Sequence, residues 1–279
     1  MTTRREFFKT TGIAFAATTL LPSMAFGSAE KKTGIGLYTV RDNMVKDPDG
    51  TLKAIAEMGY NWIEAGTDAN CLFYNIKPAD FRKKIESYGM SFISSHNTLT
   101  PENTDKMING LAEGGLKYAV LRSIPESWVK SIDDHKKTAD FFNKTGEKCK
   151  KLGMKFCFHN HWTEFVKVDG QVPYDVLLAN TDPALVTFEM DLCWTTEAGV
   201  NPVDYFKKYP GRFELFHMKD ITTEKKVATL GEGKINFKPI FAHLKEAGAK
   251  YYFVEQDVCV THTQLESARI SRNFLINNL

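Results

Sequence analysis

The feature that most constrains this chain is an alternation. Eight short runs rich in β-branched and aromatic residues lie at 34–39, 60–65, 91–96, 117–122, 155–160, 185–191, 212–218 and 251–255. Helical patterns separate them, clearest at 49–58, 78–88, 133–152, 236–247 and 262–277. Strands that alternate with helices lie parallel, because each helix carries the chain back along the sheet. Gly59, Gly89, Gly153 and Gly248 each follow a helical pattern and can close it in a left-handed turn. Eight such units in about 250 residues is the arithmetic of a (β/α)8 TIM barrel. A doubly wound open sheet usually has fewer strands and a glycine-rich loop after the first. Here Gly231-Glu232-Gly233 falls late and reads as a turn in a βα loop.

Residues 1–29 read as a targeting segment, leaving 30–279 as a single domain. Thr3-Arg4-Arg5-Glu6-Phe7-Phe8-Lys9 resembles a twin-arginine export motif, and a weakly apolar run follows from Gly12 to Leu21. Gly27-Ser28-Ala29 fits a processing site. The run is shorter than the roughly 20 apolar residues that a bilayer span needs. The expected location is therefore the periplasm, without a membrane anchor. Lys and Arg (36) nearly balance Asp and Glu (34), so no basic face points to nucleic acid. Five scattered cysteines without a CxxC pair read as mostly buried thiols rather than a disulfide framework.

The active end of a barrel is the C-terminal end of its strands. Polar side chains gather there: Tyr38 and Arg41, Glu64, His96 and Asn97, Arg122, then His159, His161 and Glu164. The last three strands add Glu189 and Asp191, His217 with Lys219 and Asp220, and Glu255 with Asp257. His, Asp, His and Glu at four consecutive ends converge near the barrel axis. Such a set suits a divalent ion (Mn, Co, Fe, Zn or Mg) and lacks the thiolates of a structural zinc site. Strand alternation puts His159 and His161 on one face, so either can be the ligand. It also puts Lys219, not Asp220, beside His217. An amine next to a dication is expected to have a lowered pKa and to serve as an acid or base.

These residues carry a family resemblance. Gly36-Leu37-Tyr38-Thr39-Val40-Arg41-Asp42, His159-Asn160-His161, Phe188-Glu189-Met190-Asp191, Phe216-His217-Met218-Lys219-Asp220 and Leu230-Gly231-Glu232-Gly233 resemble the xylose-isomerase-like barrels, the sugar phosphate isomerase/epimerase group. The resemblance spans the mature chain. It implies a metal held by residues of strands five to eight. By position these are His159, Asp191, His217 and Glu255. The ketose 3-epimerases have a Glu where this chain has His159, and a substrate-binding His where it has Trp194. Their first Glu is also a base, so its replacement argues against a symmetric pair of glutamates.

The resemblance further implies a carbohydrate substrate and a proton removed next to a carbonyl. Glu255, His161, Lys219 and Glu164 are the candidate acid–base groups. Tyr38, Glu64, His96 and Trp194 are the candidate substrate contacts. Nothing in the sequence forms a phosphate cradle, which favours a neutral sugar or keto-glycoside. Isomerisation or epimerisation is the first expectation and β-elimination the second. A sugar-binding barrel without catalysis is the reading from another class. Homo-oligomerisation is left open.

Overall fold

The computed structural model describes residues 31–279. The export motif and processing site lie outside the described residues. Within them the chain forms a closed barrel of eight parallel strands: β1 (Gly34–Gly36), β2 (Trp62–Gly66), β3 (Ser91–Asn97), β4 (Tyr118–Leu121), β5 (Lys155–His159), β6 (Val186–Asp191), β7 (Phe213–Met218) and β8 (Tyr251–Val254). Each strand pairs with its sequence neighbours, and β1 closes the ring on β8 through Gly34 opposite Phe253 and Ile35 opposite Val254.

The strand period sorts the side chains into two cores. Phe156 and Phe158 on β5 turn outward into the large apolar layer between strands and helices. Cys157 turns inward and packs with Ile93, Tyr118, Val120, Leu215 and Phe253 inside the barrel. That inner plug fills the barrel below the functional end. No disulfide forms among the described residues; four of the five cysteines are buried free thiols.

The helices start and stop where local chemistry directs. Asp47 accepts the Gly50 N–H ahead of helix Pro48–Glu57. Thr263 and Glu266 form a reciprocal capping box at the start of helix Gln264–Asn278. Gly59 and Gly89 adopt the expected left-handed turns, with φ of 88° and 78°.

Two expected elements differ, and one is added. The first strand stops at Gly36, and Leu37–Val40 forms a 3-10 turn that lifts Tyr38 to the surface. The helical pattern at 236–247 divides into Phe237–Ala242 and Leu244–Ala247 about His243. Asp220–Ile221 pairs with Val227–Ala228 in a small antiparallel ribbon beyond β7.

Candidate metal centre

Two bulges set the register at the functional end. The β2–β3 pairing shifts between Ile63 and Glu64, so Glu64 lies opposite Ser94. The β6–β7 pairing shifts between Phe188 and Glu189, so Asp191 lies opposite His217. Bulges re-aim side chains in this way beside active sites. The result is a pocket of about 270 Å³ whose wall includes His96, His159, His161, Trp194, Lys219 and Glu255.

His159, Asp191, His217 and Glu255 each offer one ligand atom within 4.8 Å of the others. All four are buried. Their hydrogen bonds decide which atoms are free. His159 Nδ1 lies 3.2 Å from the Arg122 carbonyl, an acceptor, so Nδ1 carries the proton. Nε2 then presents a bare lone pair, and it is buried without a hydrogen-bond partner. Burial holds the His159 pKa down to about 3, so the ring is neutral. His217 Nε2 lies 2.7 Å from Glu64 Oε1 and donates to it. That leaves Nδ1, which sits 2.8 Å from Glu255 Oε2 without hydrogen-bond geometry and is likewise unpartnered. Asp191 Oδ1 accepts the Trp194 N–H at the start of helix Leu192–Glu197, while Oδ2 has no properly directed donor.

Two imidazole nitrogens and a carboxylate oxygen thus converge, buried and without a directed hydrogen bond, beside a second carboxylate, with the Lys219 ammonium a positive side chain against both carboxylates. Such atoms are costly to bury unless something positive sits between them. His217 shows the same demand. Burial opposes its charge, but Glu189 and Glu255 outweigh burial and hold its pKa well above the usual range. A divalent cation would take the place of that proton. The donor set of two nitrogens and two carboxylates fits a borderline ion such as zinc or manganese.

Lys219 lies among the carboxylates of the centre. Its Nζ lies 2.9 Å from Asp191 Oδ2, 2.6 Å from Glu255 Oε2 and 2.8 Å from Asp257 Oδ2. Burial works against the charge, yet the three carboxylates more than reverse it. The amine is therefore held well above its ordinary pKa by these carboxylates. It also stands 5.2 Å over the Trp194 ring. Asp220, as expected, faces away from the centre and binds the backbone of the following loop.

The other candidates divide. Tyr38 lines the pocket, half exposed, with Arg41 stacked 4.4 Å above its ring. Trp194 and His161 also line it. Glu64 also lines the pocket, with both oxygens engaged by the protein, Oε1 by His217 and Oε2 by Ser94 at 2.6 Å. Burial alone would raise its pKa; His96 and His217, with the Ser94 bond, bring it down to about 2. His96 gives Nε2 to Glu189 Oε2 at 2.6 Å, so at most its other nitrogen is free for a sugar. Glu164 is not brought into this pocket. Its Oε2 accepts the His161 N–H at 2.8 Å, and the side chain lines a neighbouring cavity.

Sequence reasoning gave Glu189 no role. It is fully buried, and burial together with Glu64 pushes its pKa up to about 7. Glu64, His96, Glu189 and His217 form a second buried group that shares His217 with the first. The signal for Glu189 was available, since it precedes Asp191 by two and shares its face of β6.

Fold and site together define a (β/α)8 barrel with histidines and carboxylates gathered at the C-terminal strand ends in groups that could hold a metal ion. The chain belongs to the xylose isomerase-like TIM barrel family, which matches residues 52–276. Among curated relatives, the inosose dehydratase of Geobacillus kaustophilus is 25% identical, with 77% of this chain and 82% of that protein covered. The inosose dehydratase of Clostridium perfringens is 29% identical, but the match spans only 56% of it. Among solved structures, a sugar phosphate isomerase/epimerase from Parabacteroides distasonis is 29% identical with a TM-score of 0.81. That match covers 90% of this chain and 96% of the other. The IOLI protein with a bound zinc atom shares the fold at 16% identity and a TM-score of 0.71, over 88% and 97% of the two chains. The chain is an enzyme, of the isomerase or lyase kind.

Proposed function

We propose that this enzyme removes a proton next to the carbonyl of a non-phosphorylated keto sugar, keto-cyclitol or keto-glycoside, and that β-elimination follows. A divalent metal ion would be held by His159, Asp191, His217 and Glu255. When bound, it would polarise the carbonyl and offset the charge that develops on its oxygen.

The observation that carries the reading is the asymmetry of the pocket. Epimerisation needs a base on each face of the reacting carbon. Here Glu255 supplies a carboxylate from β8, but β5 supplies the neutral His159, whose free lone pair faces Asp191 and the centre. Elimination needs one base and one proton donor for the departing group. Glu255 fits the first role. His161, on the pocket wall, fits the second, while Lys219, paired with three carboxylates, is a poor donor and serves to hold them in place. Burial lowers the pKa of His161, which makes the imidazole a better acid when protonated. The dehydratases among the relatives agree with this order of preference, and the structural neighbour named as an isomerase/epimerase keeps epimerisation as the second reading. Among the described residues the pocket's cations are Arg122 and the fully ion-paired Lys219, which supports a substrate without phosphate.

The test is proton exchange. The Mn-loaded enzyme is incubated in D2O with inosose and with 3-keto-glucosides, and NMR follows α-deuteration and the unsaturated ketone. Wild type should exchange the α-proton and release product. Glu255→Gln keeps one oxygen toward the metal and should lose about 10²–10⁴ in rate. Exchange at the wild-type rate in Glu255→Gln removes the assigned base. No exchange with any keto substrate removes the reading.

A further inference from the structure

We infer that the enzyme has a second sugar subsite beside the catalytic pocket, so that its substrate is a glycoside of at least two rings. The inference rests on the proposed keto-sugar chemistry for the identity of the first ring. It stands on a different cavity.

At about 270 Å³ the catalytic pocket falls just below the range typical of small-molecule sites, and it suits one ring. A second cavity of about 540 Å³ adjoins it, and His161 lines both. The wall between them is the turn after β5, which Glu164 fixes by accepting the His161 N–H. Glu164 itself lines the second cavity.

The lining has the character of a carbohydrate site. Trp162 is 44% exposed and Val166 51%, two of only seven large apolar side chains left in solvent among the described residues. Both line the same cavity, so this apolar surface is grouped in a concavity rather than scattered singly. An indole face matches the C–H face of a pyranose, and the polar rim of Ser123, Thr163 and Glu164 matches its hydroxyls. His135, 4% exposed, also lines the cavity, and its Nδ1 is buried without a partner. Its ring is a buried polar group that the fold leaves unused. A linear disaccharide with its keto ring at the metal centre would pass His161 and lay its second ring on Trp162.

The test is saturation-transfer NMR with cellobiose and with methyl β-glucoside, on wild type, Trp162→Ala and Val166→Trp. Trp162 and Val166 are exposed, so neither variant threatens the fold. In wild type both cellobiose rings should receive saturation, and cellobiose should bind more tightly than methyl glucoside. Trp162→Ala should weaken cellobiose by about tenfold, a typical stacking contribution, and leave methyl glucoside unchanged. Val166→Trp, which fills the cavity, should do the same. Saturation confined to one ring, or cellobiose binding unaffected by both variants, overturns the subsite. A failed elimination assay with intact two-ring contact would remove the proposed chemistry and leave the subsite standing.

Discussion

His159 and His161 are two residues apart, and the position of a proton separates them. The Arg122 carbonyl fixes the His159 proton on Nδ1 and leaves Nε2 bare toward Asp191. His161 is held by its backbone N–H, and its ring lies 6.0 Å from that of Trp194. His159→Ala should therefore weaken Mn²⁺ or Zn²⁺ binding by about 100-fold or more, while His161→Ala should stay within a few-fold of wild type and lose activity instead. Elemental analysis after dialysis gives the answer, and the reverse pattern would exchange their roles. Sequence could name both residues but not choose, because no periodicity reports which nitrogen a distant carbonyl will take. The same limit hid Asp257. Its link to Lys219 exists only once the barrel closes.

At the scale of elements, the strands were legible because their side chains alternate between two chemically different cores. Phe156 and Phe158 against Cys157 is the clearest case. The ends were less legible. The pattern carries the first strand through Thr39, but the chain leaves the sheet at Gly36 and turns. Glu64 lines the pocket as its strand-end position suggests, but a bulge in β3 brings Ser94 alongside and engages its second oxygen, which the sequence does not show. Bulges depend on how neighbouring strands fit, which local pattern does not encode. The loop after β7 shows the converse. Gly231-Glu232-Gly233 was read as a turn in a βα loop, and the structure shows what it turns around. Asp220, fully buried, accepts the N–H groups of Ile221, Gly231, Gly233 and Ile235. A Cβ at Gly233 would fall 2.2 Å from Asp220 Oδ1, so no larger residue fits there.

The whole molecule separates its tasks along the barrel axis. Chemistry sits at the C-terminal end of the strands, and the inner apolar plug isolates it from the other end. Export, which we also propose, would present this barrel to the periplasm. Arg4→Lys combined with Arg5→Lys should hold the protein unprocessed in the cytoplasm, and a processed periplasmic form of that variant would refute the motif.

The opposite end of the barrel serves stability, and Glu214 organises it. Glu214 on β7 is 6% exposed. It accepts from Tyr118 of β4 at 2.7 Å and from Lys155 of β5 at 2.8 Å, and pairs with Lys250, just ahead of β8, at 3.1 Å. One carboxylate therefore ties together strands on opposite sides of the ring. Burial would raise its pKa, but Lys155, Tyr118 and Lys250 outweigh burial and bring it below the ordinary carboxylate value. The sign of the pH dependence follows. A carboxylate whose pKa is depressed on folding adds stability that is complete above its unfolded value of about 4.3 and is lost as pH falls through the folded value. Glu214→Gln should cost about 1.5–3 kcal/mol at pH 7, the range for a hydrogen bond to a charged group. The gap between variant and wild type should narrow as the pH falls toward 3. Urea unfolding at both pH values measures it, with metal content expected to be unchanged because the centre lies at the other end. A gap that stayed constant with pH would show that Glu214 acts through packing and not through its charge.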